Sequence, residues 1–266
     1  MQVDPNNREV HLSVGELATF RNRPQGGKAG AGTWRANVGQ EWHKESAKQT
    51  AAQHPEATFE QSISGKLRHR DWILNLQGRI DQMIPGPEGL TLREVKTIRQ
   101  GLPCPPEDLF GRYPDYFAQA AAYLRLAGLL PDYAGKALKA ELLFIEISTG
   151  TVQIVPVGPA EGDSLEAQLD ELTDFLDDRR NRRLQLDKLE IQPAFPRLRE
   201  GQAELIQQLA AAALRHPTVL LQAPTGFGKT GIVLEYALRR MQDGIFYPSI
   251  YLTSKSSGQL ETVRQL

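Results

Sequence analysis

The chain has 266 residues, a net charge of −1, 40% hydrophobic and 24% charged residues, enough for two modest domains with real cores. No run approaches the roughly 20 apolar residues of a membrane-spanning helix, and the polar start, Met1 to Val10, lacks a secretion signal's apolar core. The lone cysteine, Cys104, excludes an internal disulfide and four-cysteine zinc or iron–sulfur sites, and fits a cytosolic setting.

The charge is unevenly spread. Residues 1–100 hold 14 Lys and Arg against 11 Asp and Glu, residues 101–196 hold 9 against 16, and residues 197–266 hold 8 against 5. Such a balance permits local basic grooves without demonstrating one.

Taken in chain order, Gly26 to Gly32 is glycine-rich and reads as a mobile loop. Gly39 to Ala52 has helical composition. Phe59 to Lys66 and Asp71 to Asp81 read as strands, the second carrying Ile73, Leu74, Leu76 and Ile80. Pro85-Gly86-Pro87-Glu88-Gly89 is a turn signal, and Leu90 to Ile98 is the returning strand of a hairpin. After the proline-rich passage Pro103 to Pro106, a helix is predicted from about Pro114 to Gly128. Ala140 to Ser148 and Val152 to Val157 form a further hairpin. Ser164 to Arg183 is a helix with acids in its first turns and arginines in its last, which suits the helix dipole.

A domain boundary is predicted near Gln192 to Pro196, dividing the chain into 1–192 and 193–266. Beyond it the pattern is helix (Gly201 to Arg215), strand (Thr218 to Gln222), loop, helix (Lys229 to Met241) and strand (Ser249 to Thr253), an alternation typical of a parallel α/β domain.

The chemistry-bearing residues begin with the first hairpin. Glu94 and Lys96 are two apart and share a strand face, with Asp81 across the turn. Two carboxylates suit magnesium or manganese, which keep waters and take phosphate oxygens. Such an ion lowers the pKa of a bound water and neutralises the scissile phosphate. Lys96 would orient or deprotonate that water, or stabilise developing negative charge. On these three residues alone, a solvated hairpin face with cross-strand ion pairs competes with this reading.

Their surroundings narrow the choice. His43 lies on a predicted helix upstream, within Gly39-Gln40-Glu41-Trp42-His43. Asp81 ends Gly78-Arg79-Ile80-Asp81, Thr97 follows Glu94-Val95-Lys96, and Gln119 and Tyr123 stand at i and i+4 on one helix face. In this order the blocks resemble the RecB-like branch of the PD-(D/E)XK nuclease superfamily, over about residues 10 to 190.

The resemblance implies a mixed-sheet α/β nuclease core flanked by helices. It implies that Asp81, Glu94 and the backbone carbonyl of Val95 bind metal, with His43 a further ligand or near-ligand. Lys96 would be the catalytic lysine, and Gln119 and Tyr123 would hold the active-site helix and contact DNA or the lysine. Many relatives of this branch carry four cysteines for an iron–sulfur cluster. With Cys104 alone, no cluster is expected here.

Ala223-Pro224-Thr225-Gly226-Phe227-Gly228-Lys229-Thr230 follows an apolar segment and opens a predicted helix, the context of a phosphate-binding loop. Glycines turn backbone N–H groups toward phosphates, and the helix N-terminus adds its dipole. Lys229 would reach the β- and γ-phosphates and Thr230 the magnesium of ATP. The wording resembles superfamily 2 helicases, with Gln202 in Arg199-Glu200-Gly201-Gln202 similar to an adenine-recognition motif. Ile250 to Thr253 and Gln259 resemble the DNA-contacting strand and helix of the DinG/XPD type.

No Walker-B acidic strand and no second RecA-like domain follow, so the segment is expected to be the truncated RecA-like start of a longer nuclease–helicase fusion, with negligible ATP turnover by itself. The expected partners are DNA, nucleotide and the remaining helicase domains, with no membrane. The expected activity is hydrolysis of DNA phosphodiesters at single strands, ends or flaps, in repair or recombination. The alternatives are a catalytically silent DNA-binding module of an ATP-dependent helicase, and ATP-driven translocation with a merely structural first domain.

Overall fold

In the computed structural model, residues 1–21, 33–87 and 89–244 are described. The predicted loop Gly26 to Gly32, the predicted strand Ser249 to Thr253 and Gln259 lie outside them. The chain divides into two compact units, residues 1–178 and 179–266.

The first unit is built on a seven-stranded mixed sheet. Its strands are β1 (Gln2–Asp4), β2 (Glu9–Ser13), β3 (Thr58–His69), β4 (Trp72–Gly86), β5 (Gly89–Ile98), β6 (Leu138–Glu146) and β7 (Val152–Pro156). The order is β1-β2-β4-β5-β6-β7, with β3 also paired to β4. β2–β4 and β5–β6 are parallel, and the other pairs are antiparallel.

Helices α1 (Val14–Ala18), α2 (Thr33–Gln53), α3 (Pro106–Arg112), α4 (Pro114–Gly128) and the start of α5 (Pro159–Lys188) flank this sheet. α1 is only five residues long and is fixed by a capping box, in which Ser13 accepts from Glu16 N–H and Glu16 accepts from Ser13 N–H. β1, β2, α1 and α3 are further elements beyond those predicted. On α5, Leu165, Leu169, Leu172 and Leu176 are buried at three- and four-residue intervals, the spacing of one helix face.

β4 organises the sheet. Along one edge it pairs with β3 over nearly its whole length. Along the other, Ile73 to Gln77 pair with β2 and Gln82 to Gly86 pair with β5. Residues 78–81, Gly-Arg-Ile-Asp, face no strand on that second edge, so the sheet opens there. Alternation also breaks at this point. Ile80 and Met83, three apart, both enter the main core, while Gln82 turns to Ser46 and Thr50 on α2. A regular strand would send Ile80 and Met83 to opposite faces.

Two other features fix the frame. α4 is rich in buried alanine (Ala118, Ala120, Ala121, Ala122, Ala127), which lets it lie close to the sheet. Glu146, at the end of β6, accepts from Ser148 and Thr149 N–H at 3.0 and 2.6 Å and closes the turn into β7; the Thr149 side chain first, then the Ser148 N–H, lower its carboxyl pKa to about 2.

In the second unit, α6 (Gln202–Arg215) and α7 (Lys229–Gln242) match their predicted spans to within a residue. The expected strand Thr218 to Gln222 is corrected: these residues form no strand, and Leu220 is 96% exposed. A strand needs a neighbour to take its N–H and C=O groups, and no described residue of this unit offers one. Among the described residues no helix is long and apolar enough to cross a membrane.

Candidate active site

The sheet opening places the predicted residues. The β4–β5 ladder ends at Gln82 opposite Arg93. One step further the register would pair Asp81 with Glu94, but there Asp81 Oδ2 instead accepts the Val95 N–H at 2.8 Å. A side chain thus replaces a ladder bond, and the two carboxylates stand on neighbouring strands at the point of splay.

Glu94 is 5% exposed. Its Oε1 accepts from Lys96 Nζ at 2.9 Å and from Gln119 Nε2 at 2.6 Å, while Gln119 Oε1 accepts from Lys96 Nζ at 2.9 Å. The three side chains close a ring between β5 and α4. Its other oxygen, Oε2, is buried and has no hydrogen-bond partner. Burial pushes the Glu94 carboxyl up to about 7; Lys96 pulls it down and the Asp81 charge pushes it up. An unpartnered buried carboxylate oxygen beside a second carboxylate is a polar group whose desolvation is uncompensated, a cost a cation would offset.

Lys96 Nζ also lies 5.0 Å from the centre of the Tyr116 ring, itself stacked on Tyr113. Tyr116 was not among the predicted residues. Its position three before Gln119 on the same helix is the signal that would have found it.

Tyr123 does not reach Lys96. Its hydroxyl accepts the Arg79 N–H at 3.2 Å and donates to the Arg79 carbonyl at 3.0 Å. Arg79 lies in the stretch of β4 without a strand on its second edge, so one phenol does what a neighbouring strand would do. Gly78 makes room for it: a Cβ there would fall 2.6 Å from Tyr123 Cε1. Burial, and next the Glu94 charge, raise the Tyr123 pKa, so the hydroxyl keeps its proton.

His43, on α2, lies with Nδ1 3.7 Å from Asp81 Oδ2. Both line an open cleft of about 610 Å³ with Gly39, Gln40, Lys44, Ala47, Glu60, Arg79 and Thr97. Glu94 and Lys96 do not line it. Among the described residues no three His, Cys, Asp or Glu side chains are grouped as a ready metal site. Magnesium does not need three, since it binds through one or two carboxylates and keeps waters. Asp81, Glu94 and the unpartnered Oε2 therefore fit a hard divalent cation.

In the second unit, the loop Ala223 to Thr230 leads into α7, with Gly226 and Gly228 left-handed at φ +79° and +88°. A Cβ on Gly228 would lie 2.6 Å from Phe195 Cζ. Lys229 Nζ donates to the loop's own carbonyls, Ala223 O at 2.6 Å and Pro224 O at 2.8 Å. Gln202 is buried, accepting from Arg199 N–H and donating to Phe227 O. Its amide braces the loop. Thr225 and Thr230 sit at the loop's turn and at the second residue of α7.

No family model matches this chain, and no curated protein matches it. Among solved structures, it is similar to that of SSO0001, with 15% identity, coverage of 63% of this chain and 78% of the other, and a TM-score of 0.39. It is also similar to the structure of a putative exonuclease from Eubacterium rectale, with 14% identity, coverage of 76% of this chain and 68% of the other, and a TM-score of 0.40. Neither likeness reaches a TM-score of 0.5.

Proposed function

We propose that the first unit is a magnesium- or manganese-dependent deoxyribonuclease of the RecB-like PD-(D/E)XK type. The observation that carries the reading is the buried Glu94 Oε2, without a partner and beside Asp81, where two strands part. Asp81 and Glu94 would hold the cation with the Val95 carbonyl, and His43 stands near enough to Asp81 to join or steer them. When bound, such an ion neutralises charge on the scissile phosphate and lowers the pKa of a water.

The chain's own groups supply the rest. Lys96 is a positioned cation: two of its N–H bonds go to Glu94 and Gln119, which aim the ammonium at charge that grows on the phosphate. Gln119 fixes both Glu94 and Lys96 from α4. In the hydrolysis, a water loses one proton as its oxygen bonds to phosphorus, one P–O ester bond breaks, and the leaving oxygen takes up one proton, so the elements of water are divided between the two products.

The second unit is proposed as a nucleotide-binding part of an ATP-dependent DNA helicase, supported by the left-handed glycines and by Lys229 at the start of α7. The enclosing role is strand processing in DNA repair or recombination.

A second reading, a DNA-binding module that does not cut, is favoured by Glu94 being 5% exposed and absent from the cleft lining. Incubation of labelled single-stranded DNA with the protein and manganese separates the two. The nuclease reading expects cleavage that EDTA stops and that Asp81→Ala and Lys96→Ala abolish. Binding without cleavage selects the second reading, and undiminished cleavage by Asp81→Ala refutes the site.

A further inference from the structure

The nuclease reading uses Asp81, Glu94, Lys96, Gln119 and His43, and leaves one feature of the cleft unexplained. Glu60, on β3, has a backbone φ of +53°, a region in which long L side chains are uncommon. In the β3–β4 ladder Phe59 pairs with Gln82 and Gln61 with Ile80, so Glu60 stands opposite Asp81. Such outliers persist where surrounding structure fixes them, and they gather at functional sites. The Glu60 side chain forms an ion pair, with Oε2 2.5 Å from Arg79 Nε. Both side chains are exposed, 52% and 67%, and both line the cleft that reaches Asp81.

Arg79 is held unusually well for an exposed arginine. Tyr123 bonds its backbone N–H and C=O together, which fixes the main chain beneath the exposed guanidinium. It is two residues from Asp81, about 6.6 Å along an extended strand, and Lys44 and His43 share the cleft. A planar guanidinium with several donors matches a phosphate's paired oxygens better than it matches one solvated carboxylate. Exposed pairs such as Arg79–Glu60 hold weakly.

We propose that Arg79 is a phosphate contact for the DNA strand entering the cleft, and that Glu60 is its resident competitor, occupying the guanidinium until a phosphate displaces it. The proposal rests on the nuclease reading for its substrate, but its test needs no cleavage. Binding of a fluorescein-labelled single-stranded oligonucleotide is followed by anisotropy in EDTA across a salt series, using the full chain.

Arg79→Ala is expected to weaken binding about tenfold and to lower the slope of log K against log salt by about 1, while Arg79→Lys keeps the slope. Glu60→Gln is expected to tighten binding about threefold, and to do nothing in an Arg79→Ala background. Melting curves of each variant identify any that fail to fold; if Arg79→Ala is among them, Arg79→Gln takes its place, with the same expected loss of affinity and of slope. The proposal is overturned if Arg79→Ala leaves affinity and slope unchanged, if Glu60→Gln weakens binding, or if the two substitutions act additively. Cleavage that persists with an unaffected Arg79→Ala leaves the nuclease standing and removes only this contact. Arg79-dependent binding without cleavage does the reverse.

Discussion

Replacing Glu94 with Gln removes a buried carboxyl whose ionisation opposes folding. Burial raises this carboxyl from 4.5 to about 7, against the pull of Lys96 and with the push of Asp81. Between those values the folded chain holds a proton that the unfolded chain has released, so stability falls as pH rises. The penalty is absent below about pH 4.5 and complete above about pH 7. At about 1.36 kcal/mol per pH unit this interval corresponds to about 3 kcal/mol. The new amide also places an NH₂ where Oε2 has no partner, which costs about 1–3 kcal/mol at every pH. The observable is therefore the change with pH. Without metal, the wild type should lose about 3 kcal/mol relative to Glu94→Gln between about pH 4.5 and about pH 8. Urea unfolding in EDTA, followed by tryptophan fluorescence, measures it, because all three tryptophans (Trp34, Trp42 and Trp72) belong to the first unit. Magnesium or manganese should then raise the wild-type midpoint more at about pH 8 than at about pH 5, where the proton competes for the carboxylate. The same ions should leave Glu94→Gln nearly unmoved. A stability gap between the two proteins that stays constant with pH refutes the reasoning.

Lys96→Met should lower single-turnover cleavage by about 100-fold or more while leaving DNA affinity in EDTA nearly unchanged, as gel and anisotropy assays would read. Tyr123→Phe leaves the Arg79 N–H and C=O unpartnered on the open edge of β4; urea titration should report a loss of about 1–3 kcal/mol. Lys229→Ala should abolish binding of a fluorescent ATP analogue with cleavage unaffected, and equal binding by both proteins would remove the phosphate role of the loop.

The long elements were legible because their patterns are regular. α4 has its predicted bounds, Pro114–Gly128, since proline opens it and the buried positions repeat at helical spacing. The β4–β5 hairpin follows from the Pro and Gly cluster between two apolar runs. β1, β2 and α1 were missed because they are three, five and five residues long. Such lengths give too few periods to read, although Val10 and Leu12 do alternate with exposed His11. α3 was hidden by the prolines around it, two of which, Pro105 and Pro106, sit at its N-cap and first position, where proline is tolerated. The strand expected at Thr218 to Gln222 failed for the opposite reason: its apolar run is readable, but strands are made by partners and not by composition.

The site was legible as a set of residue types, but not as a geometry. Spacing alone puts Glu94 and Lys96 on one face, and the structure adds that Gln119 closes a ring with them. Nothing in the sequence says that Asp81 takes a backbone N–H from Val95 or that Tyr123 grips Arg79, because both arise from a gap between strands.

That gap explains why one short stretch, Gly78 to Asp81, concentrates so much of the candidate chemistry. A continuous sheet would satisfy every main-chain group of β4 and leave no room between β2 and β5. Ending one ladder at Gln77 and starting the next at Gln82 frees, on that edge alone, the backbone groups of the residues between them. Those groups must be satisfied by something. Gly78 is small enough to admit the Tyr123 ring, whose hydroxyl takes both Arg79 groups. With its backbone secured from α4, the strand can turn Asp81 toward Val95 and offer the Arg79 guanidinium to the cleft. The glycine, the arginine and the aspartate are then consequences of a single structural choice, the parting of two strands. Tyr123, although 45 residues from Gly78 in sequence, is the part that makes the choice stable.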